Sequence, residues 1–343
     1  MSSVYRAVAI LITAVLALLT NQMASAQSGL ATTVDSGWVG SFDSLFWSMR
    51  SSGVEYGVTD IGGVQDRGPV GEILSLSGEY EAGFRFSVGR QMANGPELLF
   101  EYTDFRPSYS ERYVGPLRAT FVSADNSEND DSDNINTLGV ETVTPDDRAT
   151  SALAEMSFDY QVYDFALAQS LRLTESLSLR LSGAGRAASI DSEFGATYTG
   201  GDFQTAFNAF KNGSYRGGGV VVGGDLIWYL TQSLQLNIGT GLGLMMGSVE
   251  TRVFIPDDEP GVPTDVTFDE MRMTPLMDMS VGLDFQRKFG SYLVSIASGY
   301  EMTHWFNLSD TRVFTDAYIE AQNAHLIDDV SLDGAYIRIA LAR

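Results

Sequence analysis

The stretch Ser176–Arg186, SLSLRLSGAGR, sets Leu177, Leu179 and Leu181 on one parity and Ser178, Arg180 and Ser182 on the other. Successive side chains of a β-strand point to opposite sides of the pleat, so a period of two describes a strand whose faces meet different media. A helix would scatter the leucines around its axis. The stretch also reads G-x-G-x-x-A at Gly183, Gly185 and Ala188. That pattern cradles a dinucleotide only where a strand gives way to a helix, and the following SIDSEFGATYTGG has no 3.6-residue apolar period. No cofactor is expected.

Connections between such strands alternate between tight and long. GFRFSVGR turns through QMANGP, whose Asn94-Gly95 suits a hairpin, into ELLFEYTDF. A mostly polar stretch from Arg106 to Asp147 follows and reads as a loop. Tight turns recur at Thr174-Glu175-Ser176, Thr231-Gln232-Ser233 and Arg287 to Gly290. Longer loops are expected at YTGGDFQTAFNAFKNGSYR, IPDDEPGVPTDVTFDE and NLSDTRVFTDAYIEAQNAHLIDD. Short connections at one rim and long ones at the other describe an all-β antiparallel transmembrane barrel of the outer membrane, with periplasmic turns and extracellular loops. The expected strand number is about 10, within a range of roughly 8 to 14.

Parity then assigns the faces. Expected toward lipid are Ala152, Ala154, Met156, Phe158 and Tyr160; Val220, Val222, Leu226 and Trp228; Leu234, Leu236, Ile238, Leu242 and Leu244; and Tyr292, Val294, Ile296 and Tyr300. The other face carries Arg85, Glu101, Glu155, Asp159, Gln161, Arg172, Arg180, Arg186, Asp225, Gln235, Asn237, Asp278, Asp284, Gln286, Glu301 and Arg338. An ionised Arg or Lys on the lipid side costs about 2–4 kcal/mol near the midplane, so those charges are expected to line a lumen. A β-sandwich alternates in the same way with its apolar faces inward. Tryptophan and tyrosine near strand ends, as in interfacial girdles, and strands long for a sandwich favour the barrel.

The N-terminus fits export. Arg6 precedes the apolar run Ala7–Leu19, and Ala24-Ser25-Ala26 forms a small-x-small cleavage site. Residues 1–26 are therefore expected to be a signal peptide and residues 27–343 one barrel domain. An uncleaved anchor is disfavoured, because a spanning helix needs about 20 apolar residues. The chain contains no cysteine, so an exported domain of this length has neither disulfides nor thiolate metal ligands. Its formal charge of −23 opposes nucleic-acid binding.

Several segments resemble the Legionella-type pore-forming major outer membrane proteins: FDSLFWSMRSSGVEYGV, GFRFSVGR with LLFEYTDF, FDYQVYDFALAQSLRLTESLSLRLSGAGRAASIDSEF, GGGVVVGGDLIWYL, SGYEMTHWFN and the closing VSLDGAYIRIAL. They cover most of Trp38 to Leu341 in the same order. The resemblance implies an outer-membrane barrel that forms a pore and supplies no catalytic residues. Such barrels usually finish on an aromatic residue read by the insertion machinery, whereas this chain finishes Leu341-Ala342-Arg343.

Other chemistry is weaker. The run Asp125–Asn134 is acidic but lacks the central glycine and bidentate glutamate of an EF-hand, and reads as a solvated surface loop. His304 and His325, with Asp310 or Asp328 and Ser309, would be the residues of an outer-membrane hydrolase; His304, beside Trp305 and Phe306, fits an interfacial cluster better. Gly217, Gly218, Gly219, Gly223 and Gly224 lack a phosphate-loop ending and fit strand bending and close approach. The lumen charges allow two arrangements: they face one another across a narrow channel, or pair off and plug it. The expected function is passive diffusion of small hydrophilic solutes with a weak cation bias and no catalysis; the alternative is a closed structural or adhesive barrel. Expected partners are outer-membrane lipid, those solutes, the insertion machinery and, as an option, further copies of the chain.

Overall fold

The computed structural model describes residues 37–51, 53–60, 71–93, 95–120, 148–201, 203–255, 264–314 and 323–343. The cleavage site, the acidic run Asp125–Asn134 and Asn94 lie outside them. Thirteen strands follow in chain order: β1 (Gly37–Ser51), β2 (Glu55–Thr59), β3 (Ile73–Ser75), β4 (Glu81–Gln91), β5 (Glu97–Phe105), β6 (Ser108–Ala119), β7 (Arg148–Arg172), β8 (Leu177–Gly200), β9 (Phe203–Tyr229), β10 (Leu234–Ile255), β11 (Thr264–Phe289), β12 (Tyr292–Phe314) and β13 (Asn323–Ala342).

Every pairing is antiparallel, and the β7–β8 ladder closes the sheet on itself. β5 and β6 make one stave, broken at Arg106-Pro107: β5 pairs the lower part of β7 through Phe105↔Tyr160 and β6 the upper part through Ser108↔Ser157. β2 and β3 attach to the outer end of β6. Among the described residues the closed wall therefore has ten staves, matching the expected strand number.

Register fixes the shape. From Tyr163, partners run through Ala187 and Gly218 to Met246 on β10. In the other direction they run through Tyr102, Phe86, Phe42, Ile339, Ile296 and Phe285 to Leu234 on the same strand. The ring closes with a stagger equal to the interval from Leu234 to Met246. Such a stagger over ten strands tilts them by about 40° and gives a backbone cylinder about 10 Å in radius. Side chains from opposite walls can meet across it.

Met92–Pro96, Leu173–Leu177, Leu230–Leu234 and Gly290 (φ +61°) make tight turns at one rim, where Trp38 and Arg343 also meet through a backbone bond of 3.0 Å. This is the periplasmic rim. Arg343 lies over the Tyr292 ring, so the adjacent strand brings an aromatic residue to the rim where the chain's own end has none.

Above this rim the outward face is apolar for about ten residues per strand, as a 25 Å band requires. Phe42, Phe86, Phe165, Leu226, Ile238, Leu283, Ile296 and Ile339 are all exposed on it. Higher up, with no break in pleat, the two faces exchange chemistry. On β7, Tyr163, Phe165 and Leu167 point outward in the band, whereas Ala152, Ala154, Met156, Phe158, Tyr160 and Val162 are buried inside above it. The outer extension is thus a water-exposed barrel with an apolar core.

Two sets of expectations are corrected here. Ala152, Ala154, Met156, Phe158 and Tyr160 face the interior rather than lipid, because that part of β7 stands above the bilayer, where the medium inside is drier than the medium outside. The expected long loops also contain strand. Ser108–Ala119 is β6, and the segment from Tyr198 to Arg216 is the end of β8 and the start of β9, joined by a turn between Gly200 and Phe203. β11 begins at Thr264, and β12 runs to Phe314. Polar outward residues on β6 and on upper β8 made those strands look like loops.

Leu283→Arg, outward in the band, is expected to lose about 2–4 kcal/mol of stability in lipid vesicles, while Glu155→Arg, outward above it, stays within about 0.5 kcal/mol; urea titration with tryptophan fluorescence reads both. Gly201 turns the β8–β9 hairpin at φ +70°, and its Cβ would meet the Arg148 carbonyl oxygen. Gly201→Val is expected to cost about 1–3 kcal/mol in the same assay.

Candidate functional site

The lumen at membrane depth is crossed by two groups of ion pairs. On β1, Asp43 is fully buried and accepts from Arg338 of β13 at both oxygens, Nε to Oδ1 at 2.8 Å and Nη2 to Oδ2 at 2.6 Å. Arg85 of β4 also donates to Asp43 at 3.3 Å. The same guanidinium reaches three staves round the ring to Glu301 of β12, Nη1 to Oε2 at 3.1 Å and Nη2 to Oε1 at 3.0 Å. Its Nε lies 3.4 Å from Glu101. Each partner thus anchors Arg85 in a different wall.

The second group centres on β8. Arg186 forks onto Asp164 of β7 with two bonds of 2.8 Å and spans the lumen to Asp278 of β11 at 3.0 Å. Nearer the periplasmic rim, Arg180 joins Glu97 of β5 at 2.9 Å to Asp225 of β9 at 3.0 Å. Bidentate, charge-assisted bonds of this kind fix geometry as well as energy. Removing one partner of a buried pair leaves an uncompensated charge and costs about 3–5 kcal/mol.

The belt is not neutral. Among the described residues it gathers eight carboxylates (Asp43, Glu97, Glu101, Asp164, Asp225, Asp278, Asp284 and Glu301) against four guanidiniums (Arg85, Arg180, Arg186 and Arg338). Asp284 is held by amides, Gln235 Nε2 at 2.9 Å and Gln286 Nε2 at 3.1 Å. Asp225, Asp278 and Glu101 keep 36%, 27% and 26% of their side-chain surface accessible, so the belt is wetted unevenly.

Immediately above it lies an aromatic layer. Trp47 packs edge-on to Phe105 and Tyr160, with centroids 5.6 and 6.2 Å away, and Trp305 packs likewise on Tyr160 and Tyr215 at 6.2 and 5.9 Å. Arg85 stacks 5.5 Å from the Trp47 ring and joins the two layers. These rings leave room by glycine: a Cβ at Gly217 would strike the Tyr215 ring, and one at Gly219 the Leu244 carbonyl and Met245. Gly217 and Gly219 thus serve close approach, as their pattern suggested.

Of the residues expected to line a lumen, Arg85, Glu101, Arg180, Arg186, Asp225, Asp278, Asp284, Glu301 and Arg338 are in the interior, with Gln235, Asn237 and Gln286. Glu155 and Asp159 are corrected: both face outward above the band, and Asp159 lies 3.7 Å from Arg106. Arg172 is corrected too: it folds over its own turn and donates to the carbonyls of Thr174 and Glu175. Sequence parity missed Asp43, Glu97 and Asp164. Asp43 shares a parity with Leu45 and Trp47, an apolar set that looked lipid-facing.

Among the described residues, His304 and Ser309 of the expected hydrolase arrangement do not come together. His304 points outward, with Nδ1 2.5 Å from Ser331 Oγ and Nε2 3.3 Å from Asp329, whereas Ser309 lines a chamber inside the outer extension. The side chains of His325 and Asp310 lie outside the described set. Outside the membrane, Arg252 grips Asp265 through two bonds and holds its carboxyl below the usual range. Burial pushes the Tyr109 hydroxyl up to about 12.

No curated protein sequence matches the chain. Among solved structures, it is similar to the outer membrane protease OmpT from Escherichia coli, at 9% identity and a TM-score of 0.48 over 92% of this chain and 98% of that one. It is also similar to the Pseudomonas putida toluene transporter TodX, at 10% identity and 0.35 over 90% of each chain, and to a Pseudomonas aeruginosa FadL homologue, at 8% and 0.25 over 90% of each. In sequence, residues 32–342 match the family described as Legionella pneumophila major outer membrane protein precursor. With a closed ten-stave barrel girdled by an apolar band and a family match over nearly its whole length, the chain belongs to that family of outer-membrane proteins.

Proposed function

We propose that the chain is a narrow passive pore for small hydrophilic solutes, held shut in the described conformation by side chains that meet across its lumen, and that it catalyses no reaction. The observation that carries this reading is the charged belt. Ion pairs can part and rehydrate without exposing apolar surface. The aromatic layer is then the constriction that excludes water while the belt stays paired, a gate of the kind that works by dewetting. Eight carboxylates against four guanidiniums make the potential inside negative, so cations are favoured.

A second reading, a closed structural barrel that displays its outer extension, is favoured by one observation: Trp47, Tyr160 and Trp305 are almost wholly buried where they span the interior. Conductance separates the two. In planar bilayers the refolded chain is expected to give brief, small, cation-preferring steps. Arg186→Ala frees Asp164 and Asp278 and is expected to raise open probability and cation preference while costing about 3–5 kcal/mol of stability. Silence from both proteins, each shown to be folded and inserted, overturns the pore and leaves the structural barrel.

A further inference from the structure

Arg85 of β4 is held from two sides of the lumen. Its cross-strand neighbours are Asp43 and Thr103, and both are engaged: Nη1 donates to Asp43 at 3.3 Å and Nε to the Thr103 hydroxyl at 3.1 Å. Glu101, two residues along β5, lies 3.4 Å from Nε. These three partners belong to the staves on either side of β4. The fourth, Glu301, stands three staves away on β12 and accepts from both Nη groups, at 3.1 and 3.0 Å.

The two-bond fork of Arg85 is thus given to the far wall. Arg186 divides its bonds the other way, with its fork on the cross-strand neighbour Asp164 and a single bond to the distant Asp278. Asp43 does not depend on Arg85, because Arg338 donates to both of its oxygens at 2.8 and 2.6 Å. Glu301 does: among the described residues Arg85 is its hydrogen-bond partner at both oxygens and no other group donates to it. Released from Glu301, Arg85 keeps Asp43, Thr103 and Glu101 on its own side and vacates a seat shaped by a planar cation. That seat has a carboxylate that accepts a fork and the Trp47 ring, whose centroid lies 5.5 Å from the guanidinium carbon. A guanidinium satisfies both, whereas an ammonium is a point charge with neither the fork nor the flat face. Arg85 and Glu301 each keep 12% of their side-chain surface accessible, so water reaches the pair.

We propose that Glu301 and the face of Trp47 form a binding site for a guanidinium-bearing solute, with Arg85 as its tethered stand-in: the solute takes the Glu301 fork while Arg85 retires to Asp43 and Glu101. The excess of carboxylates over guanidiniums in the belt favours one more cation there. That the occupant is cargo rests on the pore reading; the site itself stands on the geometry of the closed barrel.

The test uses the refolded mature chain in detergent with 15N-labelled arginine, titrated at millimolar concentration with ethylguanidinium, propylammonium and the neutral isostere ethylurea. Ethylguanidinium is expected to shift the Arg85 Nε signal saturably, propylammonium to bind about ten-fold more weakly, and ethylurea to leave the signal in place. Glu301→Gln should weaken ethylguanidinium by about ten-fold, and Trp47→Leu should reduce its advantage over propylammonium. If Glu301→Gln fails to refold, Arg85→Lys serves instead: it empties the fork, so ethylguanidinium, followed at the Arg338 Nε signal, should bind about ten-fold more tightly. The site is overturned by a shift that does not saturate, by an equal response to propylammonium or ethylurea, by unchanged affinity in Glu301→Gln, or by weaker binding in Arg85→Lys. Because binding is read without conduction, a silent bilayer beside saturable, Glu301-dependent shifts sinks the pore and leaves the site, whereas conduction without such shifts sinks the site and leaves the pore.

Discussion

In hydrocarbon no water is available to backbone N–H and C=O groups, so a spanning sheet must pair every edge with itself. The other features of this chain follow from that closure. Ten staves closing with the Leu234-to-Met246 stagger fix tilt and radius together, and at about 10 Å the radius is small enough for guanidiniums on one wall to reach carboxylates three staves away. The ion-pair belt is what a polar lumen becomes when the cylinder is too narrow for bulk water. A wider barrel with the same residues would leave Arg85 and Glu301 solvated apart.

Closure also explains how one pleat serves two environments. The strands from β7 to β12 are about twice as long as the bilayer needs, and on β7 the side chains alternate without slipping, so there the change of medium at the membrane surface is answered by composition alone. Below it, Phe165 faces lipid and Asp164 faces the lumen; above it, Phe158 faces the interior and Asp159 faces water. The aromatic layer of Trp47, Tyr160 and Trp305 sits at this crossover, where a polar interior meets an apolar one. Edge-to-face packing gives each ring pair about 0.5–1.5 kcal/mol beyond burial, which makes the layer a natural place for the lumen to be sealed.

Much of this was legible in the chain. SLSLRLSGAGR already reveals the strand and which side of β8 is greasy, and the four tight turns identify the periplasmic rim. The paired arginines Arg180 and Arg186 could be assigned to the lumen because their strand lies within the band at that point. What parity could not supply is height. The apolar set Ala152–Tyr160 and the polar set Glu155 and Asp159 have faultless alternation, but the same alternation means opposite things on the two sides of the membrane surface. Asp43 and Asp164 were hidden for the same reason, each standing one pleat below an apolar run on its own face. The polar outward residues of β6 and of the upper β8 disguised long strands as loops.

The exchange of faces along β7 is the claim most directly open to measurement, and a chain without cysteine is well suited to it. Single cysteines from Ser151 to Leu167, spin-labelled in reconstituted vesicles, would be compared for collision with oxygen, which concentrates in lipid, and with a water-soluble nickel chelate. The account predicts oxygen access at positions 163, 165 and 167, nickel access at 155, 157 and 159, and little of either at the even positions throughout. Oxygen access at 152, 154, 156 and 158 would place the apolar face against lipid along the whole strand and contradict it.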